Sequence, residues 1–475
     1  MADDRIVEPR LLRGFRDYLP GQMNAKLAII ATIRRVYESY GFLPLDTPAL
    51  EYHETLMGYG EDNAKQIFEF ENPEEEHVAL RFDLTAPLAR VVAQYTDLPL
   101  PFRRYQVGPV WRADKPDPGR FREFTQFDLD SVGTPSSAAD TEILCGVYDT
   151  LKALGIPRFR VRFSDRNVLN TLLDFAGIPH SSSRPVFRIL DKLDKIGLDG
   201  IVAELSGGRV DASGDKIRGL GLGTGPIDKI KKFIAVPRGT RTEVLAALKQ
   251  LFGEVPSATG ALHGLGAICS SLDALGIPDE FVALDQSIAR GLDYYTGPVF
   301  EALLIDALEF GSVVGGGRYD GLVARFLGRN IPAVGASIGV DRLLAAMTKL
   351  GLTETAPSTA QVLVTVMEPE KIIEYEKLTR EFRQAGVNAE LYLGEEKGLS
   401  KQLAYANRQQ IPLAVLVGSD EFQKGEVTIK NLKLGAQLPD KKTQREEWLK
   451  LSRTVQFAVP RGECVSHVRR IVSEL

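Results

Sequence analysis

FRRYQVGPVWRADKPDPGRFREFTQFDLDSVG, residues 102–133, reads as two strands joined by a turn. RRYQVGPVWRA and REFTQFDLDSVG alternate apolar and polar side chains, the period of a strand with one face on a core. Pro116, Pro118 and Gly119 supply the turn between them. VALRFDL (78–84) has the same alternation. Ahead of it, Met23, Leu27, Ile30, Ile33 and Tyr37 recur at helical spacing over 22–39, and GFLPLDTPAL (41–50) then turns extended, its prolines unsuited to a helix interior. One helix followed by several alternating strands predicts an α+β fold with an antiparallel sheet, not a doubly wound α/β fold.

The pattern changes at 166–265. LNTLLDFAGI, VFRILDKLDKIG and LAALKQLFG read as short helices around a glycine-rich stretch, SGGRVDASGDKIRGLGLGTG (206–225). Its GxGxxG-like spacing neither follows a strand nor opens a clear helix, so it reads as a loop and not as a phosphate site. Strand patterns return at PVFEALL and EFGSVVGGGRYD, and a helix follows at DRLLAAMTKLG (341–351). The sheet is therefore expected to be interrupted by a helical insertion. Residues 351–360 are a linker by composition. Beyond them, strands at QVLVTV, VNAELYL and LAVLVG alternate with helices, which predicts a separate α/β domain over 361–440. The last segment, 441–475, reads as an extension ending in a helix.

The chain has 475 residues, 44% hydrophobic and 25% charged, and three widely spaced cysteines, Cys145, Cys269 and Cys464. This composition excludes collagen-like, disulfide-scaffold and wholly disordered classes. The odd, unpaired cysteines fit a reducing compartment. With no signal-like N-terminus and no apolar run long enough to span a membrane, the expectation is a cytoplasmic protein with no membrane partner. The net charge of −5 conceals opposite regions: residues 41–80 carry −9, whereas 151–250 carry +8 and 361–475 carry +2. A basic block of that length suits phosphate neutralisation, so a nucleic-acid partner is not excluded. The five histidines show no HxxxH or HExxH spacing, and no metal site made by the protein is expected.

Three arginine-bearing segments stand out: Arg112, Arg120 and Arg122 around the 112–122 turn, Arg290 in ARGLDYYTG, and Arg342 at a helix start after the glycine-rich GASIG. An arginine fork held on a strand matches phosphate bidentately. In combination these segments resemble the class II aminoacyl-tRNA synthetases, and within them the histidyl-tRNA synthetase family. GFLPLDTPALE looks like motif 1, FRRYQVGPVWRADKPDPGRFREFTQFDLD like motif 2 and VGASIGVDRLL like motif 3. ARGLDYYTG followed by VGGGRYDGL is the signature specific to the histidine family, and RGFRDYLP and LRFDLTAPLAR match as well.

That resemblance implies a catalytic domain over 1–165 and 266–350 with the insertion at 166–265, an anticodon-binding domain at 361–440, and a homodimer formed through motif 1. It implies ATP with Mg2+, L-histidine and the histidine tRNA as substrates. Arg112 matches the arginine holding the α-phosphate and the amino-acid carboxylate, and Arg290 the arginine on the opposite side of that phosphate. Asp114, Arg120, Phe124 and Arg342 match the remaining ATP contacts, with Phe124 and Arg342 sandwiching adenine. Asp83, Leu84, Thr85 and Gln126 match the segment that receives the histidine ammonium. Asp130, Tyr294 and Tyr295 match the imidazole pocket. Two departures stand out. Asp83-Leu84-Thr85 replaces the Glu-Gly-Thr common in bacterial members, and Asp117-Pro118 stands in a turn that in this family faces the tRNA acceptor end, which implies altered or relaxed reading of the extra 5′ guanosine. Alternatives of another class are a histidine-binding regulatory paralogue of an early biosynthetic enzyme and a tRNA-sensing pseudo-synthetase. The intact arginines and the 361–440 domain weigh against the first, and the absence of a kinase-like extension against the second.

Overall fold

A computed structural model of the chain describes residues 7–57, 66–116, 119–211, 214–289, 294–396, 398–435 and 454–474. Arg290, Asp117 and Pro118 lie outside the described residues. The chain divides into two compact units, Met1–Asp17 with Lys26–Thr353, and Tyr18–Ala25 with Glu354–Leu475.

The first unit is built on an eight-stranded sheet. Its spatial order is Leu43–Pro44, Phe102–Trp111, Glu123–Val132, Ala333–Gly339, Ser312–Arg318, Pro298–Leu304, Phe159–Asp165, Val282–Leu284. The two outermost pairings are parallel and every inner one is antiparallel. This is the α+β sheet that the alternation predicts. Along Glu123–Val132 the residues Phe127 and Leu129 are wholly buried on one face. There Tyr37 of helix Pro20–Ser39 meets the Phe127 ring edge-on at 5.2 Å. Leu129 packs towards Gly146 of helix Ser137–Ala153, where an added Cβ would come within 3.0 Å of it. The opposite, polar face of the same strand is buried too, with Gln126, Asp128 and Asp130 all shielded. Alternation alone assigns such a face to solvent; here it is the floor of a cavity.

A buried ion pair ties the far side of this sheet to its covering helix. Arg318, at the end of Ser312–Arg318, donates from Nε to Asp140 Oδ1 (3.0 Å) and from Nη2 to Asp140 Oδ2 (2.8 Å). It also donates to the carbonyls of Thr134 and Ser136, and Ser136 caps helix Ser137–Ala153. Removing one partner of such a pair costs about 3–5 kcal/mol, because the other is left buried and unpaired.

Between Phe159–Asp165 and Val282–Leu284 the described residues form six α-helices, from Arg166–Ala176 to Ala258–Ala274. Asp165 caps the first, and Gly177 ends it in the left-handed conformation at φ 69°. The glycine-rich stretch differs from its reading as a loop. Gly208–Val210 pairs antiparallel with Lys216–Arg218, and a helix opens at Thr224 behind Gly223. Strands of three residues carry too little alternation to register in sequence.

The second unit has a five-stranded sheet in the order Ala389–Leu391, Val362–Val364, Leu413–Leu416, Glu426–Asn431, Gln456–Pro460. The first three strands are parallel and the last two join antiparallel. Residues read as an extension thus supply the fifth strand and the closing helix Cys464–Ser473, whose Cys464 and Val468 enter the core beside Val362, Tyr375 and Phe382. All three cysteines are free and buried. Among the described residues no helix is long and apolar enough to cross a membrane.

Candidate active site

The polar face of the large sheet floors a cavity of about 260 Å³ in the first unit. Side chains at alternate positions of a strand share a face, so Phe124, Gln126, Asp128 and Asp130 of Glu123–Val132 all enter it. Register sets their neighbours. Asp130 stands opposite Arg104 on one side and Gly335 on the other, and Asp128 opposite Gln106 and Ser337. Gly335 has to be glycine, because a Cβ there would lie 1.9 Å from Asp130 Oδ1.

The acidic end is organised by Arg104, which is fully buried. Its Nη2 lies 3.0 Å from Asp130 Oδ2 and 3.7 Å from Asp128 Oδ2, and donates to the Leu84 carbonyl at 3.0 Å. Tyr319 donates its hydroxyl to Asp130 Oδ1 at 2.5 Å, and Gln126 Nε2 donates to Ser337 Oγ at 2.9 Å. Burial pushes the Asp128 carboxyl up to about 7; Arg104 opposes the rise and Asp130 adds to it. Burial also raises Asp130, against the pull of Arg104 and Tyr319. Asp83 Oδ1 accepts the amide protons of Thr85 (3.1 Å) and Ala86 (2.9 Å), the first two of helix Thr85–Gln94, which presents Thr85 to the cavity. Tyr294 and Tyr295 close this end with ring centroids 4.2 Å apart.

The other end is basic. Arg112 donates from Nε to the Phe82 carbonyl (3.1 Å), and its guanidinium lies 4.2 Å from the Phe82 ring centroid and 5.2 Å from that of Phe124. Stacking of this kind fixes the plane of the fork. Arg120 stands 3.9 Å from Asp114, and Arg342 donates to the Ser312 carbonyl at 2.7 Å. All three arginines line the cavity together with Asp114. One enclosure therefore offers carboxylates to a cation at one end and guanidiniums to a polyanion at the other.

Of the residues expected from sequence, Asp83, Thr85, Arg112, Asp114, Arg120, Phe124, Gln126, Asp130, Tyr294, Tyr295 and Arg342 are brought together here. Leu84 is not: its side chain is wholly buried and only its carbonyl reaches the site, through Arg104. Arg104, Asp128, Tyr319 and Ser337 were not singled out from sequence. For Asp128 a signal existed, since it lies two residues from both Gln126 and Asp130 and so shares their face.

Residues 14–343 match the sequence model of a family described as histidyl-tRNA synthetase, and residues 361–455 one described as an anticodon binding domain. The chain is 44% identical to the histidine–tRNA ligase of Ruegeria sp. over 480 residues, 97% of this chain and 95% of that one. It is 42% identical to the histidine–tRNA ligase of Dinoroseobacter shibae over 483 residues, covering 97% and 96%. Among solved structures, the histidyl-tRNA synthetase from Nostoc sp. PCC 7120 aligns with a TM-score of 0.82 at 32% identity, over 98% of this chain and all of that one. A Bacillus halodurans protein described as an ATP phosphoribosyltransferase regulatory subunit/histidyl-tRNA synthetase shares the fold at 24% identity, with a TM-score of 0.68 over 84% and 97%.

The raised Asp128 carboxyl has a consequence for stability. Its unfolded value is about 3.9, below the folded value, so the folded state binds the extra proton. Stability of the free protein is therefore drawn down as pH rises from about 4 to about 7. Asp128→Asn should remove that component, so the difference in melting temperature, variant minus wild type, should grow across this window. Parallel profiles for the two proteins would contradict the assignment.

Proposed function

The chain belongs to the histidyl-tRNA synthetase family and ligates histidine to its tRNA, and we propose that both steps of that reaction run in the cavity described above. The histidine carboxylate attacks the α-phosphorus of ATP in line, and pyrophosphate leaves. A hydroxyl of the tRNA 3′-terminal ribose then attacks the carbonyl carbon of histidyl-adenylate, and AMP leaves. Neither step needs a covalent bond to the protein. What is needed is alignment and neutralisation of the charge that develops on the phosphate oxygens.

The observation that carries this assignment is the polarity of the cavity. Histidine enters with its ammonium toward Asp83, Thr85 and Gln126, and its ring toward Asp130, Tyr294 and Tyr295. Its carboxylate then faces Arg112 beside the α-phosphate. Phe124 and Arg342 hold adenine between them, Arg120 takes the outer phosphates, and Asp114 accepts from the adenine amino group. Arg290, by its place in ARGLDYYTG, is assigned the family's second α-phosphate contact. Mg2+ arrives with ATP, since it prefers phosphate oxygens and water to an arginine-lined wall. Buried polar groups at the acidic end penalise an amino acid that leaves them unpaired, which is how such a site rejects near-isosteres.

The tRNA is read by the C-terminal anticodon-binding domain and, by our proposal, gripped through phosphates by the basic block 151–250. The chain acts as a homodimer in the cytoplasm. Support for the dimer comes from exposed apolar side chains on and near motif 1, Leu43, Leu50, Tyr52 and Phe70, a covering that a second copy supplies.

Histidine-dependent exchange of pyrophosphate into ATP tests the assignment. Purified protein should exchange with histidine and with no other amino acid, and Arg290→Ala should keep the fold while losing at least about 10²-fold in rate. Absence of exchange in the wild type would defeat the enzymatic assignment and leave a histidine-binding regulator. A fully active Arg290→Ala would remove Arg290 from the reaction.

A further inference from the structure

Outside the cavity, a second cluster of chemically capable side chains lies on the three-stranded sheet that leads into it. Leu50–Tyr52 pairs with His77–Leu80, which pairs in turn with Glu69–Glu71. His53 follows the first strand at the start of a helical turn, Glu69 opens the third, and His77 opens the middle one. Pairing brings together three side chains that lie 8 to 24 residues apart in sequence. His53 Nε2 is 2.8 Å and His77 Nε2 3.3 Å from the same Glu69 oxygen, Oε2. The two imidazoles stack, with centroids 4.2 Å apart and planes inclined by 23°.

We propose that His53, Glu69 and His77 form a surface site for a borderline divalent transition-metal ion, Zn2+ foremost, with water completing the coordination. Two imidazole nitrogens and one carboxylate oxygen are a donor set that Zn2+ takes up and that Mg2+ or Ca2+, with their preference for oxygen alone, does not. Bonds of about 2.0–2.2 Å in a tetrahedron place donor atoms about 3.3 Å apart. The His77 nitrogen–oxygen distance, 3.3 Å, meets that spacing, the His53 distance, 2.8 Å, falls short of it by about half an ångström, and all three donor atoms lie within 4.8 Å of one another. Little movement is needed: the ion replaces the contacts that the imidazoles make to Glu69, each Nε2 presenting its lone pair with the proton on Nδ1. The surroundings favour a cation, because the His77 strand is entered through Glu74, Glu75 and Glu76, and Glu71 stands opposite His77 in the register. A bound ion would clamp three consecutive pieces of a small sheet whose middle strand runs directly on to Arg81 and Asp83.

Titration of tag-free, chelator-stripped protein with Zn2+ alone, by calorimetry without ATP or tRNA, should show one equivalent bound per chain. His53→Ala and His77→Ala should each weaken it by at least about tenfold, while His180→Ala and His467→Ala leave it unchanged. In the wild type, Zn2+ should shield His53 and His77, but not His180, from diethyl pyrocarbonate, as mapped by mass spectrometry; this readout does not depend on any variant folding. Absence of Zn2+ binding, equal binding by the His53→Ala and His77→Ala proteins, or equal labelling with and without Zn2+ would each overturn the proposal.

Discussion

The guanidinium of Arg104, buried without exposure to solvent, is the interaction on which the rest of the site depends. Two carboxylates two residues apart on one strand, Asp128 and Asp130, could not share a dry sheet face without a cation between them and the backbone behind. Arg104 supplies that cation from the neighbouring strand, in register with Asp130, and its remaining reach secures the Leu84 carbonyl. It thereby ties the strand pair Phe102–Trp111 and Glu123–Val132 to the segment that carries Asp83 and Thr85. Tyr319 and Gly335 complete the arrangement, one by donating to Asp130 and the other by leaving it room.

From this follows a division of labour along one cavity. The acidic end is positioned by Arg104, which reaches Asp128, Asp130 and the Leu84 carbonyl, by Tyr319 on Asp130 and by Ser337 on Gln126, and fixed positions are what let it discriminate. The basic end uses a different device, stacking Arg112 against Phe82 and Phe124 so that the planar fork keeps its orientation when a phosphate arrives. The sheet joins the two ends, so the amino acid and the nucleotide are presented to each other by strands and not by loops. For a reaction whose barrier is lowered by alignment and charge neutralisation, a strand-built site is the suitable platform.

How much of this was legible beforehand varies with the range of the interaction. The strands around residues 102–132 were legible because alternation is local. So were the arginines, because a family signature names them by position. What alternation misreported was the polar face, which it assigns to water; only the strands on either side reveal that it is enclosed. Leu84 was drawn into the histidine-binding group by its neighbours Asp83 and Thr85, although at the N-cap of helix Thr85–Gln94 its side chain is wholly buried. The short hairpin in the glycine-rich stretch and the fifth strand of the C-terminal sheet were missed for one reason. Each is a few residues long and is defined by its partner, not by its own period. The His53, Glu69 and His77 cluster is invisible to any spacing rule, since sheet pairing alone assembles it.

The acidic floor recognises histidine independently of how the basic end holds ATP. Isothermal titration of Asp130→Asn with histidine, and separately with a non-hydrolysable ATP analogue, tests it most directly. Loss of a charge-assisted hydrogen bond, about 1.5–3 kcal/mol, predicts histidine binding weakened by at least about tenfold with analogue binding unchanged. Histidine affinity equal to that of the wild type in a folded variant would contradict the account.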